Sequence, residues 1–197
     1  GLPLSIFQFD DSLEVVVLEM GMSDFGEIDR LASIVKPHIG VITNIGVAHM
    51  ESLGSREGIF QAKMEIAKHI AGDDELPGTL IYASDSEFLT KERTKGNYDQ
   101  ISVGEKGKDD YIISSVDDFG MDGIKFTLEH AQKVRQISLP LPGRHNAINS
   151  ALAVAVGDLL GISPEEETDG LAAADLTGNR LKRRENGSIC VIDDTYN

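Results

Sequence analysis

Seven residues of this sequence have types and settings that could do chemistry: Glu19, His49, Lys63, Asn146, Asn149, Arg180 and Asp194. Glu19 closes the apolar run Val15-Val16-Val17-Leu18 and is followed by Met20-Gly21. His49 lies in the stretch Thr43-Asn44-Ile45-Gly46-Val47-Ala48-His49 that opens after Ile39-Gly40-Val41-Ile42. A carboxylate and an imidazole at the ends of neighbouring strands suit Mg²⁺ when phosphate oxygens complete its shell. The same two residues are equally a helix-capping carboxylate and a surface histidine. Lys63 stands in Gln61-Ala62-Lys63-Met64-Glu65, on or beside an apolar helix face. It is either a solvated lysine paired with an acid or a partly buried one with a lowered pKa, able to react as the neutral amine. Asn146 and Asn149 share one face of a helix's first turn, where two carboxamides could bind a ligand's edge; Asn146 alone is equally an N-cap. Taken singly, Arg180 and Asp194 carry no signal.

The elements that must position these groups follow from hydrophobic periodicity. Residues 15–18, 39–42 and 79–83 are short apolar runs rich in β-branched side chains, as in strands buried on both faces. Between the first two, residues 26–35 carry apolar side chains at 28, 31, 32, 34 and 35, a helical stripe stopped by Pro37. Residues 57–70 form the next helix, with Ile59, Phe60, Ala62, Ile66, Ala67 and Ile70 inward. A short strand is expected at 6–9 and a polar helix at 87–95, closed by Gly96. From 99 to 141 the runs 100–103, 111–113, 124–128 and 134–139 alternate between Gly and Asp turns and read as an antiparallel meander. A long helix at 146–160 and a second, started by Ser163 as N-cap and Pro164, follow. A last strand is expected at 189–192. The sum is an α/β fold, a mostly parallel sheet flanked by helices with a small antiparallel β meander. In such sheets ligands sit outside the carboxyl ends of the strands, which is where Glu19 and His49 are expected.

Composition narrows the partners. The 197 residues are 41% hydrophobic and carry 18 Lys and Arg against 33 Asp and Glu, a formal charge of −15. That balance argues against nucleic acid and anionic membranes, whose affinity comes from a basic face. It leaves room for nucleotides, held locally by backbone N–H groups and Mg²⁺. A single cysteine, Cys190, suits a reducing cytoplasm. No apolar run reaches the roughly 18 residues of a membrane span. No Gly-x4-Gly-Lys-Ser/Thr, Gly-x-Gly-x-x-Gly, His-Glu-x-x-His or cysteine pair occurs, and Gly104-Glu105-Lys106-Gly107-Lys108-Asp109 reads as a turn between strands.

Motif by motif, the sequence resembles the central domain of the Mur ligases, a P-loop NTPase-like fold. The resemblance rests on Glu19-Met20-Gly21-Met22, Gly26-Glu27-Ile28, the stretch Lys36 to Glu51, Gly54-Ser55, Ala62-Lys63-x-Glu65-Ile66, Gly143-x-His145-Asn146-x-x-Asn149 and Asp193-Asp194-Thr195-Tyr196-Asn197. Within the family it is similar to the branch that joins D-alanyl-D-alanine to UDP-N-acetylmuramoyl-tripeptide with ATP and Mg²⁺, through an acyl phosphate, in peptidoglycan precursor synthesis. The resemblance implies metal binding by Glu19 and His49. It also implies carbamylation of Lys63 by CO₂ in support of a second metal, adenine contacts from Asn146 and Asn149, phosphate contact from Arg180 and ribose contact from Asp194. It implies a central ATP-binding domain over residues 1–177 and the start of a C-terminal domain over 178–197. Both ends read as cut from a longer cytoplasmic enzyme whose phosphate-binding loop lies upstream, so the fragment alone is expected to bind ATP weakly and to ligate nothing. Other amide ligases of Mur or folate polyglutamate type, and a nucleotide-binding module without ligase chemistry, are the alternative readings.

Overall fold

The computed structural model describes residues 2–174, 182–186 and 189–193. Residues up to Glu105 form one compact unit and those from Lys106 a second. In the first, β1 (Ile39–Ile42), β2 (Thr79–Ala83) and β3 (Asp99–Gly104) run parallel, with Ile42 opposite Tyr82 and Ala83 opposite Val103. β2 is buried along its whole length, as its unbroken apolar run requires. Against the sheet lie α2 (Glu27–Val35), α4 (Arg56–Met64) and the 3₁₀ turn Glu65–His69. Their inward side chains Ile28, Ile59, Phe60 and Ala62 join Ile42, Leu80 and Leu89 in one core. α2 ends at Lys36, whose left-handed φ of 49° turns the chain into Pro37.

In the second unit, β4 (Tyr111–Asp118), β5 (Ile124–His130) and β6 (Lys133–Leu139) form an antiparallel meander, as the alternating runs predict. Two helices pack on it, α5 (His145–Leu159) and α6 (Pro164–Ala172). Ser163 and Glu166 close a reciprocal capping box ahead of Pro164. Arg135 of β6 pins both helices, pairing with Asp158 of α5 and Glu167 of α6 at 2.5 Å each, while the Tyr111 hydroxyl donates to Asp158 at 2.8 Å. A small hairpin of β7 (Lys182–Asn186) and β8 (Ile189–Asp193) follows. The fold is thus α/β, with a parallel sheet in the first unit and an antiparallel meander in the second. This agrees with the sequence reading in class.

Four elements differ from that reading. Residues 15–18 form no strand: Val15, Val16 and Val17 are exposed and no described strand pairs with them. An apolar run becomes a strand only where a neighbour takes its N–H and C=O groups and both faces are covered, and neither holds here. Residues 6–9 are likewise not a strand. The chain there leaves α1 (Leu2–Ile6) through tight turns in which Gln8 N–H donates to Ser5 and Phe9 N–H to Ile6. The expected helix at 87–95 is a series of turns: Thr90 O still accepts the helical Thr94 N–H at 2.9 Å, but side chains take the Lys91 and Thr94 carbonyls. The Tyr98 hydroxyl donates to Thr94 O, Gln100 Nε2 to Lys91 O, and Thr94 Oγ1 to Thr90 O. Finally, residues 100–103 belong to β3, which pairs parallel with β2. A short partly alternating run does not encode the direction of its neighbour.

Candidate active site

The most closely assembled chemistry lies where β1 ends. After Ile42 the chain passes through residues 43–48 to His49, which sits at φ 65° and ψ 20° as the N-cap of α3 (Met50–Leu53). Histidine is among the few side chains other than glycine that adopt this left-handed region, and residues held there concentrate at functional sites. α3 turns at Gly54 directly into α4, capped by the Ser55 hydroxyl, which accepts from Gly58 N–H at 3.1 Å. Glycine at 58 is what permits the sharp corner: a Cβ there would lie 2.0 Å from the Leu53 carbonyl oxygen.

One face of α4 then grips the loop. Arg56 and Lys63, two turns apart, project to the same side. Arg56 Nη2 donates to the Ile45 carbonyl at 3.1 Å, its guanidinium stacked 4.9 Å from the Phe88 ring centre. Lys63 Nζ donates to the Asn44 carbonyl at 2.8 Å and to Asn44 Oδ1 at 3.3 Å. Burial pushes the Lys63 amine below the usual lysine range. Among the described residues no carboxylate lies within ion-pair distance of it, so of the two sequence readings the structure favours the partly buried amine over the acid-paired one.

The loop leading to α2 is built by carboxylates. Glu27 Oε2 accepts from Ser23 N–H at 2.5 Å and Asp24 N–H at 3.2 Å, which holds its carboxyl below the ordinary range. Gly26, the N-cap of α2, has no side chain to cap the helix. Glu65 does so from 39 residues away: buried, it accepts Gly26 N–H at 2.8 and 3.0 Å and Asp29 N–H at 3.1 Å. Glu65 follows Lys63 by two, so one turn of chain carries the amine and fastens α2. Asp29 is held in turn by Lys68 and His69, both at 3.1 Å. Sequence reasoning assigned no role to Asn44 or Glu65, although both stand in the motifs quoted. Their signals were a polar residue after an apolar strand and a helix start without a local cap.

The remaining candidates are less closely assembled. Glu19 lies exposed on the irregular segment before α2 instead of at a strand end. Among the described residues, no hydrogen bond or ion pair joins it to His49 or Lys63, and no three of His, Cys, Asp and Glu come together to hold a metal. A Mg²⁺ that carries nucleotide phosphates takes only one or two protein ligands. The donor chemistry of Glu19 and His49, both exposed, fits that smaller demand. In the second unit, Asn146 is buried at the start of α5 and is not its N-cap, which is Arg144. Asn146 Nδ2 donates to Pro142 O at 2.8 Å, and its Oδ1 accepts from the exposed Asn149 at 3.2 Å, so the two carboxamides form one pair. Arg180 and Asp194 lie outside the described residues.

Comparison with known proteins gives this geometry a family. The profile of the Mur ligase middle domain matches residues 1–157. The chain is 37% identical over 201 residues to a UDP-N-acetylmuramoyl-tripeptide–D-alanyl-D-alanine ligase of Bacillus subtilis, covering 100% of this chain and 41% of that protein. Among solved structures, MurF from Acinetobacter baumannii matches with a TM-score of 0.89 at 32% identity, over 100% of this chain and 42% of its own. MurF ligase from Thermotoga maritima, in complex with ADP, gives a TM-score of 0.82 at 30% identity, over 100% and 44%. The chain therefore spans about two fifths of the length of the relatives it matches. It belongs to the Mur ligase family, whose middle domain it carries.

Proposed function

We propose that this chain is part of an ATP-dependent amide ligase that joins D-alanyl-D-alanine to UDP-N-acetylmuramoyl-tripeptide in the cytoplasm, completing a peptidoglycan precursor. The B. subtilis relative bears that activity in its name. The observation that carries the reading to this chain's own residues is Lys63, a half-buried amine with no carboxylate at ion-pair distance among the described residues, held beside the loop that leads to His49. In the reaction, the terminal carboxylate of the tripeptide takes the γ-phosphoryl group of ATP. The amine of D-alanyl-D-alanine then attacks the acyl phosphate, and phosphate leaves as the amide forms.

The chain's contribution to such a reaction is position and charge. Glu19 and His49 would hold Mg²⁺, which supplies neutralisation of the phosphate charge when bound. Lys63, as its carbamate, would turn a cation into an anion on the same side of α4 as the His49 loop. Asn146 and Asn149 would contact adenine, Arg180 the phosphates and Asp194 the ribose. We assign residues 1–177 to the central ATP-binding domain and 178–197 to the beginning of the C-terminal one. The sequence contains no Gly-x4-Gly-Lys-Ser/Thr, so the 197 residues by themselves are expected to hold ATP weakly.

The test uses the full-length protein with ATP, Mg²⁺ and UDP-N-acetylmuramoyl-tripeptide, following ADP release with and without D-alanyl-D-alanine. Release that requires the dipeptide, with a pentapeptide product by mass, is the expected result. Release indifferent to the dipeptide would remove the ligase reading and leave a nucleotide-hydrolysing module.

A further inference from the structure

A single residue, Asn44, receives two hydrogens of the Lys63 amine. Its carbonyl oxygen accepts at 2.8 Å and its own Oδ1 at 3.3 Å. An amine nitrogen is tetrahedral. Cε fills one corner and these two hydrogens fill two more, which leaves one corner directed away from Asn44. The loop cannot slide out of this arrangement easily, because Arg56, from the same face of α4, holds the next carbonyl, that of Ile45, at 3.1 Å. The nitrogen is therefore presented in a fixed attitude as well as being partly buried.

We propose that Asn44 is the positioning residue for carbamylation of Lys63: it aims the open corner of the nitrogen at CO₂ and then holds the carbamate that forms. The proposal rests on the reading of Lys63 given under Proposed function and adds the residue that makes the modification possible. In the step, the nitrogen lone pair forms an N–C bond with CO₂. One C=O electron pair moves onto oxygen, and the nitrogen's surplus proton leaves to water. The product, Nζ–H–CO₂⁻, keeps one hydrogen, which stays on the Asn44 carbonyl. Oδ1 would now face an anion. A half-turn of the carboxamide about its broad terminal torsion exchanges Oδ1 for the Nδ2 hydrogens, which donate to a carbamate oxygen. Asparagine accepts before the reaction and donates after it. Aspartate would accept only and then repel the product, and alanine would keep the main-chain acceptor but have no side chain to accept before the reaction or donate after it.

The experiment compares the full-length protein with its Asn44→Asp and Asn44→Ala variants after equilibration with ¹³C-bicarbonate. The carbamate carbon resonance is read by NMR and assigned by its loss in Lys63→Arg. Thermal melting of each variant selects those that remain folded. The expected result is a Lys63-dependent resonance in the unmodified protein that falls by about tenfold in both variants, the worth of one hydrogen bond to a charged group. An undiminished resonance in folded Asn44 variants overturns the role of Asn44 and leaves the Lys63 reading standing. Absence of any Lys63-dependent resonance in the unmodified protein overturns the Lys63 reading itself, and this proposal with it.

Discussion

Replacing Glu65 should loosen α2 from its first turn, and the size of the effect can be worked from the contacts. The carboxylate is buried and serves two donors, Gly26 N–H at 2.8 Å and Asp29 N–H at 3.1 Å. Gly26 is the N-cap of α2 and Asp29 its third helical residue, so Glu65 satisfies the donors a local capping box would satisfy. A hydrogen bond to a charged group contributes about 1.5–3 kcal/mol, and losing a cap costs about 0.5–2 kcal/mol. Glu65→Ala removes both charged-group bonds from these part-buried amides, at about 1.5 kcal/mol each, for a loss of about 3 kcal/mol. Glu65→Gln keeps one oxygen but turns an NH₂ group toward the other donor, for about 1.5 kcal/mol. Amide hydrogen exchange of α2 reads this locally: 3 kcal/mol corresponds to roughly 150-fold faster exchange. The amides to watch include Arg30, which donates to Gly26 O at 3.0 Å. The glutamine variant should fall between the alanine variant and the parent. Exchange in α2 that is unchanged in a folded Glu65→Ala chain would refute the capping argument, and uniform acceleration across both units would show a global effect instead.

Three further outcomes follow from the same contacts. Gly58→Ala should cost about 3 kcal/mol by urea denaturation, since its Cβ would lie 2.0 Å from a backbone oxygen that cannot rotate away; a cost below half of that would mean the α3–α4 corner is soft. Arg135→Met should destabilise the second unit by about 3 kcal/mol, because it strands Glu167, which is buried and already has one unpartnered oxygen, together with Asp158. A melting temperature matching the parent's would contradict this. Asp29 has its carboxyl held below the ordinary range, first by Lys68 and then by His69, so its support is present at neutral pH and is lost as pH falls through the ordinary aspartate range to the lowered value. Asp29→Asn should therefore be the less stable form near pH 7, with the gap closing in acid; a gap independent of pH would show that the ion pairs contribute nothing.

What the sequence made legible, and what it did not, divides by the range of the interaction. β1 and β2 carry their signal in four or five consecutive side chains, and the structure places them at residues 39–42 and 79–83 as expected. The start of α6 is equally local, with Ser163, Pro164 and Glu166 within one turn. Residues 15–18 carry the same kind of run as β2, yet no strand forms. A strand is a property of two segments, and the run records only one of them. The direction of β3 failed for a related reason, since Gln100 to Val103 states which faces are apolar and not whether its neighbour runs with it or against it. At the candidate site the chemistry-bearing lysine could be picked out by type and setting, but its surroundings could not. Asn44 is 19 residues away and Glu65 is 39 residues from the helix it caps, and neither separation follows a helical or strand period. What remains in the sequence of such long-range bonds is a local vacancy: a glycine at position 26 where a helix start calls for Ser, Thr or Asp, and a lysine at 63 with no acid placed to meet it. Read as unfilled demands for partners, these vacancies point to the residues that the motif alone left without a role.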